Sequence, residues 1–322
     1  MDEPHPANQA TLEDLQELVH EVRKALLARD ESPAGEWVER TADALRDGRT
    51  PGWYYPARPG AGLAFFSTSG TEAYGHVHVV EAAGAVDRGE KLTGALLENL
   101  PPDIRSINIG FTGLSPAHET ELLDRLSGRP GSVVIERIGL ERSLGSDDGR
   151  PPGPAPDGTK LVPLRAVTLD ALADLDLRSV HGTVDAMLIG DRFEEYRRVM
   201  ASVLEGSLGR FLDEASTALF RPEPPRLVGA ILSAERSPHK GIFVSFMVDP
   251  EFRRRGYGEY LFRWGLRALW ALGYERVHLW VTAANEPARR LYERFRLEPT
   301  VRSTIYRIVR GDDAPPHPHS AL

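Results

Sequence analysis

The sequence predicts an α/β (α+β) protein of two domains, each a mixed, mostly antiparallel sheet flanked by helices. Three observations lead there. The chain has 322 residues, and at about 100–200 residues per domain that length makes two domains. A Gly/Pro-rich stretch over residues 145–158 divides the chain and carries no apolar periodicity. On either side of it the same order of patterns recurs: two helices, a strand meander, a helix, a strand and a helix. The expected organisation is a first domain over 1–144, a linker over 145–158, a second domain over 159–310 and a disordered tail over 311–322.

In the first half, Thr11 with Asp14 reads as a variant capping box, and Leu15, Leu18, Val19, Val22, Ala25 and Leu26 follow at helical spacing. A second helix is expected over 33–46. Strand runs follow at 52–55, 62–67 and 74–80, then a helix over 91–100, a strand over 107–112 and a helix over 115–126. The second half opens with a strand over 161–167 and helices over 168–177 and 191–204. Strands over 215–220 and 226–234, joined by Arg221-Pro222-Glu223-Pro224-Pro225, form a meander with 241–248. The helix over 259–272 carries one apolar stripe, Leu261, Trp264, Gly265, Ala268, Leu269 and Leu272, with Gly273 as its terminating cap. Trp264 and Trp270 read as core packing. A strand over 277–282 and a helix over 285–295 complete the pattern.

Composition narrows the function classes. Hydrophobic residues make up 41% and charged residues 27%, as in soluble globular proteins. No apolar run approaches the ~18–20 residues of a membrane helix. Residues 1–10 are polar and acidic, so no secretory signal and no membrane partner are expected, and the cytoplasm is the expected compartment. The absence of Cys removes disulfides, thiolate metal sites and any Cys-linked acyl intermediate. A net charge of −8 gives no basic stripe for nucleic acid; it is compatible with a cationic acceptor, but solubility alone accounts for it. His76 and His78 alternate on a strand without clustered acidic ligands, so no metal is expected.

One run carries chemistry: Val248-Asp249-Pro250-Glu251-Phe252-Arg253-Arg254-Arg255-Gly256-Tyr257-Gly258. A strand precedes it and a helix follows. That order aims backbone N–H groups and a helix N-terminus at one point, which suits a pyrophosphate. Gly256 and Gly258 let the chain turn tightly and a ligand approach, and Arg253, Arg254 and Arg255 add positive charge. About thirty residues on, a second strand leads into Asn285-Glu286-Pro287-Ala288-Arg289-Arg290-Leu291-Tyr292.

The two runs together closely resemble the acyl-CoA motifs of the GNAT superfamily of N-acyltransferases, over roughly residues 159–310. Arg253, Gly256 and Gly258 match the family's Arg/Gln-x-x-Gly-x-Gly/Ala turn. Asn285, Ala288, Leu291 and Tyr292 match its Asn-x-x-Ala-x-x-Leu-Tyr helix. The family usually closes that helix with Gly-Phe, where this chain has Arg296-Leu297. A left-handed cap there costs a non-glycine residue roughly 1–2 kcal/mol. The first half resembles a degenerate copy: its turn region Val86-Asp87-Arg88-Gly89-Glu90 is eroded and Leu123 stands at the Tyr292 position. An unrelated α/β domain is the alternative.

The resemblance implies acetyl-CoA as co-substrate and a primary amine, on a small molecule or a peptide, as acceptor. It implies binding by the backbone of Phe246, Met247 and Val248, by the cradle residues Arg253 to Gly258 including Tyr257, by Glu259 and by Asn285, which also suits a helix cap. Tyr292 is the implied general acid; a phenol of pKa ~10 can protonate a thiolate of pKa ~8.5–9. Many members carry a Glu on the cradle strand as base, but here Ser245 is that strand's polar side chain. His181, Asp185 and Glu235 remain unranked candidates. A non-catalytic acyl-CoA sensor or interaction protein is the rival reading. No motif speaks to oligomeric state.

Overall fold

The computed structural model describes residues 3–28, 37–56 and 61–310. In chain order the elements are β1 (His5–Pro6), α1 (Leu12–Ala28), α2 (Trp37–Arg46), β2 (Gly52–Tyr55), β3 (Gly62–Ser69), β4 (Glu72–Val79), α3 (Ala85–Glu98), β5 (Ser106–Thr112), α4 (Pro116–Ser127) and β6 (Ser132–Ser143). There follow β7 (Lys160–Pro163), α5 (Leu169–Val180), the one-turn α6 (Ala186–Ile189), α7 (Phe193–Leu204), β8 (Arg210–Phe211), β9 (Thr217–Pro222), β10 (Pro225–Ser237) and β11 (Lys240–Val248). The last are α8 (Tyr257–Ala271), β12 (Arg276–Thr282), α9 (Glu286–Arg294) and β13 (Glu298–Val309). Two compact units result: Met1–Glu136 with Ser303–Leu322, and Arg137–Arg302.

Unit 1 has strand order β1-β2-β3-β4-β5, with residues 305–309 of β13 antiparallel to β5. The pairs are antiparallel except β4 with β5. Thr11 accepts from the Asp14 N–H at 3.1 Å and starts α1, whose Leu15, Leu18, Val19 and Val22 are buried with Leu45 and Leu63. The other face of the sheet packs Leu92 and Leu96 of α3 and Leu122, Leu123 and Leu126 of α4 against Phe66, Ile109 and Phe111.

Unit 2 repeats that plan. Its order is β12-β11-β10-β9-β7, with β8 on β10 and residues 137–143 of β6 antiparallel to β12. Again one pair, β11 with β12, is parallel. Thr168 caps α5 by accepting from the Ala171 N–H at 3.2 Å. Leu172 and Leu175 of α5 and Met200 and Val203 of α7 cover one face of the sheet. Leu261, Phe262, Leu266 and Leu269 of α8 cover the other, with Tyr292 and Phe295.

Where the sequence suggests a single cut between 144 and 159, the compact units divide at Glu136/Arg137 and again at Arg302/Ser303. The strand that follows α4 completes the sheet of unit 2, and the strand that follows α9 completes the sheet of unit 1. Both strands were absent from the sequence reading, although Val133, Val134, Ile135 and Ile138 supply the β-branched signal for the first. The 145–158 stretch belongs to unit 2 rather than acting as a free linker. It forms a 3₁₀ turn at Ser146–Gly149, Asp148 pairs with Arg142, and the Tyr257 hydroxyl donates to Asp157 O at 3.3 Å. Trp270 is 41% exposed and lies over Gly149, not in the core. The strand expected over 161–167 ends at Pro163 and passes into a 3₁₀ turn. Residues 33–36 of the second helix and the 311–322 tail lie outside the described residues. No helix among the described residues is long and apolar enough to cross a membrane.

Candidate active site

The site begins where two strands part. Residues 240–243 of β11 pair with residues 276–279 of β12, and the pairing goes no further. On its other edge β11 stays paired with β10, with one irregularity: Leu232 faces Ser245 and Ser233 faces Phe243, so Val244 is an extra residue. A bulge bends the strand that carries it. This bend falls at the residue where β11 leaves β12. The Asp249 N–H donates to Val228 O at 3.0 Å and sets the phase of the β10–β11 ladder. By the alternation of an antiparallel pair, Met247 and Ser245 direct their backbone groups to β10, and Phe246 and Val248 direct theirs into the gap. Met247 is thereby corrected: its backbone is engaged and its side chain, 1% exposed, is core under α5 and α7.

The cradle between β11 and α8 is anchored from below. Asp249 is 1% exposed, accepts from the Glu251 N–H at 3.1 Å and is ion-paired with Arg178 and Arg226. Phe252 and Tyr257 stack edge-to-face, centroids 5.3 Å apart. Above that anchor Arg254 (φ 57°) and Gly256 (φ 85°) both take left-handed backbone. The first N–H groups of α8 have no intrahelical acceptor and stand at the positive end of its dipole. A Cβ on Gly256 would meet nothing within 4 Å, so the turn is open on that side. A Cβ on Gly258 would lie 3.5 Å from the Phe246 ring and 3.6 Å from Val248, ordinary contact.

Arg253 is a strut. Its Nε donates to Val248 O at 3.2 Å and its guanidinium also donates to Ser179 O in the last turn of α5. Burial draws its pKa below the ordinary arginine value, against the opposing pull of Asp185. Arg255 is exposed and does not line the cleft; nor does Tyr257, which is 8% exposed and belongs to the core. Glu259 lies at the mouth, 2.9 Å from Arg263 and 3.7 Å from Arg294.

A cleft of about 870 Å³ runs through the gap. Phe246, Val248, Arg253, Arg254, Gly256, Gly258, Glu259, Asn285 and Tyr292 all line it. Tyr292 is 6% exposed, with its ring 5.4 Å from Phe262 and 6.3 Å from Phe246 between centroids. No described residue accepts its hydroxyl proton. Burial, then the Asp185 charge, push its pKa well above the usual phenol value, with Arg137 opposing. Asn285 caps α9 by accepting from the Ala288 N–H at 3.2 Å, and its amide donates to Asp185. Thr282 also donates to Asp185 and receives Arg137 Nη1 at 3.4 Å.

Of the three candidate bases only Asp185 reaches the cleft. His181 ends α5 on the surface. Glu235 is held by the Tyr274 hydroxyl and by Arg210, each at 2.6 Å, away from the lining. The sequence reading missed Asp176. This carboxyl is 6% exposed on α5 and lines the cleft, and burial, then Asp185, push its pKa up to about 7. A signal was present: Asp176 stands four residues after Leu172 and three after Ala173, on the apolar stripe of its helix.

Unit 1 has the same scaffold with the space filled. β4 and β5 stay paired from Glu72/Ser106 to His78/Thr112. His76 and His78 both meet the Thr112 hydroxyl, at 2.8 and 2.9 Å. Gly84 (φ 77°) starts α3 as Gly256 starts α8, so the eroded turn is the segment before Ala85; residues 86–90, read as that turn, lie in the helix. Arg88 folds back onto Ala83 O at 2.8 Å and Val80 O at 3.3 Å. Glu81 accepts from the Ser115 N–H at 2.7 Å and pairs with His118. Ser115 follows Thr112 by three residues as Asn285 follows Thr282, and both cap the next helix.

Comparison with known proteins agrees with this geometry. Residues 184–296 match the profile of the acetyltransferase (GNAT) family. No curated protein matches the sequence. Among solved structures, a GCN5-related N-acetyltransferase from Sphaerobacter thermophilus is 17% identical, with a TM-score of 0.60 and 95% of each chain covered. A tandem GNAT protein from the clavulanic acid biosynthesis pathway is 16% identical, with a TM-score of 0.54 over 96% of this chain and 98% of that one. At such identities the likeness is one of fold. The parted strands and the arginine- and glycine-bearing cradle both lie within the stretch 184–296 that the GNAT acetyltransferase family model matches, so unit 2 carries a GNAT acetyltransferase domain.

Proposed function

We propose that unit 2 transfers an acyl group, acetyl in the first instance, from acyl-CoA to a primary amine of a small molecule or peptide by direct attack. The observation that carries this reading is the unpaired end of β11 beside an open helix N-terminus. An anion such as a pyrophosphate is favoured at that N-terminus, and the open face of Gly256 leaves room for it. The backbone groups of Phe246 and Val248 suit an amide-bearing arm, and a preorganised N–H at a developing oxyanion contributes roughly 3–4 kcal/mol. The Val248 carbonyl already receives Arg253, which leaves Phe246 as the freer of the two. Tyr292, which lines the same cleft and is protonated at neutral pH, is the proposed proton donor to the departing thiolate.

Isothermal calorimetry with acetyl-CoA and thioester turnover with a panel of amines test this reading. One molecule should bind per chain, because β4 and β5 leave no gap in unit 1. Tyr292→Phe should lower kcat about 10²-fold with unchanged acetyl-CoA affinity. Two equivalent sites, or no binding, would reject the reading. Binding without turnover of any amine would favour a sensor.

A further inference from the structure

Besides the cradle residues, Val199, Met200 and Val203 of α7 and Asp176 of α5 line the cleft. Asp176 differs from other carboxylates of unit 2. Asp249, at 1% exposure, holds Arg226, and Glu141, at 5%, holds Lys240 at 2.7 Å. Asp185 is engaged by Thr282 and Asn285. No described residue donates to the Asp176 carboxylate, although it is 6% exposed. A buried carboxylate without a partner is costly to keep, and this one opens onto the cleft.

Resting on the acyl-transfer reading of the same cleft, we infer that Asp176 is the base that takes the proton from the acceptor's ammonium, and that the acceptor is an alkylamine whose apolar body lies along α7. The step balances within named groups. The ammonium gives one proton to an Asp176 oxygen. The freed nitrogen pair forms the N–C bond at the thioester carbonyl, and the C–S bond breaks with its electron pair on sulfur. Tyr292 protonates that sulfur and recovers a proton from the new amide nitrogen. Asp176 returns its proton to solvent, so one proton is released per turnover.

The groups around Asp176 suit this role. Asp185 raises its proton affinity and lies with Arg137, Arg253 and Tyr292 on the same lining. From α7 the side chains that line the cleft are the three apolar ones named, and from β11 they include Val244, Ser245 and Phe246, none of them ionisable. A base with a midpoint near neutral is half available at pH 7, the condition under which general-base catalysis is most effective.

The test compares wild type, Asp176→Asn and Asp176→Glu in the full chain, with hexylamine and ethanolamine as probes. Wild type should prefer hexylamine at least about tenfold in kcat/KM, since several methylenes meet the apolar side chains of α7. Its pH profile should rise through a midpoint near 7. Asp176→Asn should lose that limb and about 10²–10⁴-fold in kcat, with acetyl-CoA affinity unchanged, and Asp176→Glu should restore part of the rate. A readout without turnover is melting temperature. The folded carboxyl is raised above its unfolded value, so its ionised form destabilises the fold above about pH 7 and has no effect below about pH 4. Asp176→Asn should therefore melt higher than wild type at pH 8 and alike at pH 4. An unaltered kcat and pH limb in Asp176→Asn, equal use of ethanolamine, or a melting difference that is the same at both pH values would each overturn the inference. Failure of wild type to bind acetyl-CoA would instead remove the acyl-transfer reading, and the melting comparison keeps the two failures apart.

Discussion

Gly256 is glycine for its backbone angle, not for want of room. Its φ of 85° is one L side chains rarely adopt, and a Cβ there would point into open space. Gly256→Asp should cost the fold about 1 kcal/mol, since Asp tolerates the left-handed region better than most residues. It should weaken acetyl-CoA binding at least about tenfold by adding a negative charge beside the α8 N-terminus. Thermal melting and calorimetry on one preparation check both numbers; a folded variant with wild-type affinity would remove the cradle from the proposed site. Arg254 takes the same region without being glycine, and strain of this kind gathers at ligand clamps. The motif residues were legible because a tight turn needs particular residue types at particular spacings. Their division of labour was not. Arg253 as a strut to Ser179, Tyr257 as core and Asn285 as a cap bonded to Asp185 all depend on neighbours far along the chain.

At the scale of elements, α8 and α9 end in the same way. In α8 Gly273 (φ 85°) and Tyr274 donate back to Trp270 O and Leu269 O, at 2.9 and 3.1 Å. In α9 Arg296 (φ 59°) and Leu297 donate back to Glu293 O and Tyr292 O, again at 2.9 and 3.1 Å. The helix termination expected of a glycine is thus kept by an arginine in strained backbone. Arg296→Gly should raise stability by up to about 1 kcal/mol, the relief of a left-handed arginine less the extra entropy glycine loses on folding. Urea denaturation measures it, and a lower midpoint would mean that the Arg296 side chain contributes contacts that outweigh the strain. Helix caps and apolar stripes were readable because they are local. The six-residue error at the start of α3 came from taking Val86-Asp87-Arg88-Gly89-Glu90 for the turn, whereas Gly84 in left-handed backbone opens a helix that runs through it.

At the scale of the whole molecule the units exchange their last strands, and a cut chosen from composition would break one of them. Tyr306 is fully buried in unit 1 and donates to Leu126 O at 2.8 Å. Arg307 reaches Asn108 at 3.1 Å and Glu72 at 3.3 Å, and Glu72 is 3% exposed. Stranding a buried carboxylate costs roughly 3–5 kcal/mol, and losing a large aromatic from the core costs a similar amount, against a typical total stability of 5–15 kcal/mol. A fragment of residues 1–144 should therefore show no cooperative unfolding transition by circular dichroism. A sharp transition would make the exchanged strand dispensable. By itself the sequence determined most of the helices and strands, though not β6 and β13, together with the duplicated plan and the cradle with its family motifs, because periodicity, caps and tight turns are written within a few neighbouring residues. Tertiary structure alone decided that β11 leaves β12 at Phe243 while β4 and β5 stay closed, that Asp176 faces a cleft without a partner, and that β6 and β13 change units. These pairings join residues from tens to about two hundred positions apart, and no local pattern carries that information.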